Sequence, residues 1–241
     1  MVKKVLESKE FVIGVPAGHL GYTQFYSHLI RWMSGSPVMP LLSQSNRVDV
    51  NRSMIIGGAL KAKRNLIMLD HDALPMTDYN TVIKYMLEDF EDFDVVVAPV
   101  RGLDGNVLIS PIKPNFEYPK KLADFKTFEI DAGSFTMVGI SYNLLKQLKP
   151  VSNYGLVSGE FIPLYTQYTN KTSEEYNFCR VSRKKYNAKI GCDPRIRVAH
   201  YKTIPLEPPM SIEEIVARQE ELKKKQKELM TKTNKQEIPT I

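Results

Sequence analysis

Asp70 and Asp72 stand two residues apart at the end of an apolar run, in the stretch NLIMLDHDALP over residues 65–75. Carboxylates at i and i+2 in a turn can converge on one hard cation, and Mg²⁺ or Mn²⁺ usually keeps waters and takes its remaining oxygens from phosphates. The pair suits a diphosphate held through a metal. The plainer alternative is that Asp70 caps the turn and Asp72 is merely solvated. Arg52, in VDVNRSMIIGGALKAKRN, precedes Ile55 and Ile56 by three and four residues and Ala59 by seven. That spacing sets it on the apolar face of a helix, near the N-terminal end. An arginine buried there cannot shed its charge, so it needs a partner such as Asp49, Asp70 or a bound nucleotide. His200 closes the run RIRVAH and shares a face with Ile196 and Val198 at a period of two. A neutral imidazole is a good Mn²⁺ ligand; a core histidine bonded to a backbone carbonyl is the ordinary alternative. Glu174 and Glu175 open a helix in TSEE, where Thr172 and Glu175 also fit a capping box.

These residues need elements to hold them. FVIGV at 11–15 and LIML at 66–69 are short apolar runs, read as buried strands, and DVVVAPV at 94–100 is a third. Helices are expected over 22–33, 48–63 and DYNTVIKYMLEDF, the last with Asp78 as N-cap. PVMPLLSQSN reads as a further strand and loop, GSFTMVGISYNLLKQLK as strand then helix, 174–186 as helix and 195–200 as strand. Strands alternating with helices argue for an α/β sheet, mostly parallel. In such sheets ligands bind beyond the carboxyl ends of the strands, where Asp70 and Asp72 fall. Residues 150–172, with Gly155, Gly159 and several tyrosines, are a loop or lid candidate. The C-terminal stretch from Ser211 reads as a charged, solvated helix. Ile215, Leu222 and Leu229 are one heptad apart, but the intervening Gln219 and Gln226 only weakly specify a coiled coil.

Composition narrows the class. With 241 residues, 43% apolar and 25% charged, the chain can bury a full core in the manner of a soluble globular protein. No apolar run reaches the length of a membrane span, and MVKKVLESKE is not followed by a signal-peptide core. Cys179 and Cys192 form no metal-binding pair and read as free thiols in a reducing cytoplasm. The net charge of +6 suits an anionic ligand but is spread along the chain, so it singles out no partner.

A strand ending in a loop, then Asn51-Arg52 opening a helix, then LIMLDHDALP, resembles the nucleotide-sugar glycosyltransferases of the GT-A fold. SEEYNFCRVSRKKYNAKIGCDPRIRVAHYKT is similar to the family-2-like segment in which an acidic pair opens a helix and an apolar strand later ends in His. The resemblance spans about residues 10–205. It implies a Rossmann-like, mostly parallel sheet flanked by helices over residues 1–207, with 208–241 as a charged helical tail. It also implies Mn²⁺ or Mg²⁺ and a UDP- or GDP-sugar donor. The expected reaction is inverting transfer of a hexosyl-type group to a hydroxyl of a glycan, lipid or protein, with no nucleic acid involved. By resemblance Asp72 ligates the metal and Asp70 contacts ribose or metal, with His71 between them in the donor site. His200 is a further metal ligand. Val15, Pro16 and Ala17 face the nucleoside, and Arg52 approaches the base or Asp70. Glu174 and Glu175 stand at the family's Glu-Asp pair, with Glu175 as general base. Asp131, Gly133 and Ser134, in DAGSFTMVGIS, line the sugar and acceptor pocket; Asp131 serves equally well as a turn residue. The tail's lysines suit attachment to an anionic membrane or self-association. A nucleotidyltransferase would also combine metal, nucleotide and α/β sheet, but GVPAGHLGY lacks the basic Gly-rich loop such enzymes carry near the first strand. A degenerate, non-catalytic binding protein is the third reading.

Overall fold

A computed structural model of the protein describes residues 10–17, 23–36, 38–44, 48–102, 107–111, 126–148, 151–152, 160–161, 173–201, 205–206, 220 and 224. Chain order begins β1 (Phe11–Ala17), α1 (Thr23–Trp32), β2 (Leu41–Gln44), α2 (Val48–Ala62), β3 (Asn65–Leu69), β4 (Ala73–Pro75), α3 (Tyr79–Asp89) and β5 (Val95–Val97). It continues with β6 (Ile109–Ser110), β7 (Phe128–Glu129), β8 (Ala132–Gly133), β9 (Met137–Ile140), α4 (Tyr142–Leu145), β10 (Val151–Ser152) and β11 (Glu160–Phe161). α5 (Glu174–Tyr186), β12 (Ile190–Cys192), β13 (Val198–Tyr201) and β14 (Pro205–Leu206) complete it.

Seven strands form the central sheet, in the order β2-β1-β3-β9-β5-β12-β7. β2, β1 and β3 are mutually parallel, as are β5 and β12, while β9 runs antiparallel between β3 and β5. β7 closes the edge, antiparallel to β12. The sheet is thus mixed with a mostly parallel grain, as expected. The short pieces β7 and β8 lead into β9 directly, with no helix over residues 130–136.

The continuous apolar strands are explained by burial on both faces. Along β3, Leu66 and Met68 join one core with Ile55, Ile56 and Phe178, whereas Ile67 and Leu69 join the other with Phe25, Leu29, Val82 and Met86. Helices α2 and α5 therefore cover one face and α1 and α3 the opposite one. α2 approaches the sheet closely because Gly14 has no side chain: a Cβ there would strike Ile55 of α2.

Asp78 caps α3 as expected, accepting from the Thr81 amide at 3.0 Å. Several short strands were not legible in the sequence, among them β4, β12, β14 and the β10–β11 pair within the expected loop. β12 is only IGC. β4 is only ALP, and it pairs antiparallel with β13, setting Ala73 opposite His200. β13 begins at Val198 rather than at 195 and belongs to this three-stranded sheet, β14-β13-β4, instead of the central one. The expected loop at 150–172 falls largely outside the described residues, as does the C-terminal helix apart from positions 220 and 224.

Candidate functional site

Arg52 is the largest fully buried side chain among the described residues, 2% exposed in α2. Its apolar neighbours place it there, and its guanidinium carbon lies over the Phe135 ring, 5.6 Å from the centroid. Both of its terminal nitrogens are met by acids. Nη2 donates to both oxygens of Asp70, at 2.9 and 3.0 Å. Nη1 donates to Glu174 Oε1 at 2.6 Å and Glu175 Oε2 at 3.2 Å. Burial alone would lower the arginine's pKa. The charges of Asp70, Glu175 and Glu174 outweigh it, and the guanidinium is held firmly in its charged form.

Three separate elements deliver these acids. Asp70 sits just past the carboxyl end of β3, its amide donating to Thr136 O at 3.0 Å. Glu174 and Glu175 form the first turn of α5, whose N-cap is Ser173 without a side-chain cap bond. Thr172, the other half of the expected capping box, lies outside the described residues. The second oxygen of Glu175, Oε1, turns inward to accept from Ser134 Oγ at 3.1 Å and the Phe135 amide at 3.4 Å. Carboxylates at the positive end of α5 also meet that helix's dipole favourably.

Asp72 takes a different partner from Asp70. It is buried, and its Oδ2 lies 3.1 Å from His200 Nε2. The other ring nitrogen, Nδ1, lies 3.4 Å from the Arg101 carbonyl oxygen. A neutral imidazole carries one N–H, yet both ring nitrogens face acceptors. The single N–H can serve either contact: on Nε2 it donates to the Asp72 carboxylate, and on Nδ1 it donates to the carbonyl and leaves Nε2 with a lone pair facing the carboxylate. A cation between the two side chains would relieve the second arrangement, in which the backbone carbonyl behind the ring has the place of the usual outer support of a metal-bound histidine. Asp72 and His200 offer a carboxylate oxygen and a ring nitrogen side by side, 3.1 Å apart. Among the described residues, no three His, Cys, Asp or Glu side chains gather closely enough to hold a metal. The expected trio of Asp70, Asp72 and His200 is thus divided: both Asp70 oxygens are committed to Arg52.

The remaining expected residues are placed as follows. His71 is half-buried in the turn between the aspartates. Val15, Pro16 and Ala17 are buried in β1, where Ala17 O accepts from Asn51 Nδ2 at 3.2 Å. Asp131 is ion-paired with Arg180 at 2.8 Å on the rim of α5. At Gly133 a Cβ would lie 2.7 Å from Val97 Cγ2, so the backbone there packs closely on the core. Ser134, 5% exposed, orients Glu175. The Cys179 thiol, four residues beyond Glu175, is pushed up to about 12, chiefly by burial, which leaves it a neutral core group. What sequence reasoning missed is that Arg52 joins Asp70 to the acidic pair of α5. The residues lie 18 and 122 positions apart from it, and no local spacing carries that signal.

No protein-family profile matches the chain, and no curated protein matches it. Solved structures do. A197 from STIV aligns over 80% of this chain and 86% of its own, with a TM-score of 0.55 at 13% identity. HddC from Yersinia pseudotuberculosis aligns over 82% and 76% with a TM-score of 0.34 at 10% identity. An apo UDP-glucose pyrophosphorylase aligns over 93% and 85% with a TM-score of 0.40 at 14% identity. Of these three, the likeness to A197 speaks to architecture, and at that identity to architecture alone. The chain has a mixed α/β fold of the Rossmann-like, GT-A type, shared with A197 across most of its length.

Proposed function

We propose that this protein is a metal-dependent glycosyltransferase that moves a hexosyl-type sugar from a UDP- or GDP-sugar to an acceptor hydroxyl with inversion. One observation carries the reading: Asp70, Glu174 and Glu175 meet on Arg52. The donor-side and acceptor-side acids of the resemblance thus come together beyond the end of β3, where ligands of open α/β sheets bind.

Asp72 and His200 would hold the Mn²⁺ or Mg²⁺, which when bound supplies positive charge to the departing diphosphate. Asp70, oriented through both oxygens by Arg52, is left to accept from a ribose hydroxyl. Glu175 takes the proton of the acceptor hydroxyl as that oxygen forms its bond to the anomeric carbon. The bond from that carbon to the diphosphate breaks at the same time, and the nucleoside diphosphate leaves with the electron pair. One base suffices for such a displacement. The neutral, buried Cys179 offers no second nucleophile for a two-step route.

Calorimetric titration with UDP and GDP, in EDTA and in Mn²⁺, tests this. Binding should be weak without metal, because three carboxylates against one guanidinium repel phosphates. Equal affinity in both buffers would remove the metal-bridged scheme.

A further inference from the structure

The two glutamates at the start of α5 are not equivalent. Glu174 takes the short bond to Arg52 Nη1, 2.6 Å, and is 8% exposed. Glu175 lies 3.2 Å from the same nitrogen and is 15% exposed. Its other oxygen is steered by Ser134, whose hydroxyl sits 3.0 Å from Thr136 Oγ1 in a short chain of side-chain contacts. The remaining arm of the guanidinium, Nη2, is taken by Asp70. Nε is buried with no hydrogen-bond partner among the described residues. A buried donor left unmet costs stability. The fork is therefore not oriented to satisfy the most donors; its orientation is set by the acids it holds.

Resting on the transferase reading, we propose that Arg52 is a positioning residue that divides labour between the glutamates. Its fork ties Glu174 down as a counter-ion and, with Ser134, presents Glu175 to the acceptor hydroxyl. Lysine cannot do this. A single ammonium on a flexible stem cannot engage both oxygens of Asp70 and hold two glutamates in one plane. A residue that only neutralised charge would, by contrast, be replaceable by lysine.

Carbodiimide coupling of an amine to the native protein, read by tandem mass spectrometry, needs no substrate. Glu175 should be modified severalfold faster than Glu174 in the wild type, and the rates should converge in Arg52→Lys. An unchanged ratio in Arg52→Lys, or faster modification of Glu174 in the wild type, overturns the proposal. If Arg52→Lys does not fold, Ser134→Ala decides. It should speed modification of Glu175 and not of Glu174, whereas equal change at both, or at neither, refutes the steering. On any sugar nucleotide the wild type turns over, Arg52→Lys should lower kcat about 10²-fold with donor KM kept, the size expected of a misplaced catalytic group. A loss confined to KM would make Arg52 a donor-binding residue instead. Failure of wild type to bind UDP or GDP with Mn²⁺ would remove the transferase reading, and the labelling result would still decide how Arg52 treats the two glutamates.

Discussion

Asp70 and Asp72 are neighbours in sequence and strangers in chemistry, one gripped by Arg52 and the other facing His200. Substitutions should separate them. Asp72→Asn and His200→Gln are each expected to weaken Mn²⁺-dependent UDP binding by about 10- to 100-fold. Asp70→Asn should keep the metal dependence and instead cost about 1.5–3 kcal/mol of stability, the scale of a lost hydrogen bond to a charged group. Calorimetry and urea unfolding read the two effects independently. An Asp70→Asn protein that lost Mn²⁺ dependence would restore it as a ligand. For the base, Glu175→Gln should reduce kcat by about 10² to 10⁴ with donor binding largely kept, and Glu174→Gln should be milder. NMR of the product of an α-linked donor should show a β linkage; a retained configuration would end the single-displacement mechanism.

Helices α2 and α3 carry predictions of a different kind, because each depends on how an element is seated. α2 brings Arg52 to the site only as far as Gly14 lets it approach β1. Gly14→Val would press on Ile55 and should destabilise the fold by about 1–3 kcal/mol in urea unfolding. At the end of α3, Asp89 is buried beside Asp193, accepts from Thr127 Oγ1 at 2.5 Å, and is ion-paired with Arg195 at 2.9 Å. Burial first, then the charge of Asp193, push its carboxyl from 3.8 up to about 7, against the opposing pull of Thr127 and Arg195. The folded chain therefore keeps this proton to higher pH than the unfolded chain does. The stability it contributes is fully present below pH 3.8 and is lost as pH rises through about 7. Across that window the wild type should lose roughly 2–4 °C more in melting temperature than Asp89→Asn, the change that ~1 kcal/mol makes in a chain of this size. Parallel melting curves for the two proteins would rule the effect out.

For the whole molecule, every site residue named here lies at or before His200, so truncation after Pro209 should leave nucleotide binding by calorimetry unchanged. Loss of binding would assign the tail a part in the site. No helix among the described residues is long and apolar enough to cross a membrane. Much of the architecture was written locally. The apolar runs at β1, β3 and β5 are continuous because both faces of those strands are covered, and Asp78 marks the start of α3 because a short acceptor there satisfies a free amide. The burial of Arg52 was also readable, since helical period alone puts it beside Ile55 and Ile56. Asp70 stood among its candidate partners, but nothing local chose it over Asp49 or pointed to the α5 glutamates. Asp70 and the α5 glutamates reach it through strand order and helix packing, which period and propensity do not encode. His200 meets Asp72 only because ALP, too short to announce itself as a strand, pairs with β13 and sets Ala73 against His200. Sequence fixes which residues must be buried and which can carry charge, because those are properties of a side chain and its near neighbours. Which acid shares which cation is a property of distance in space, and only the folded chain decides it.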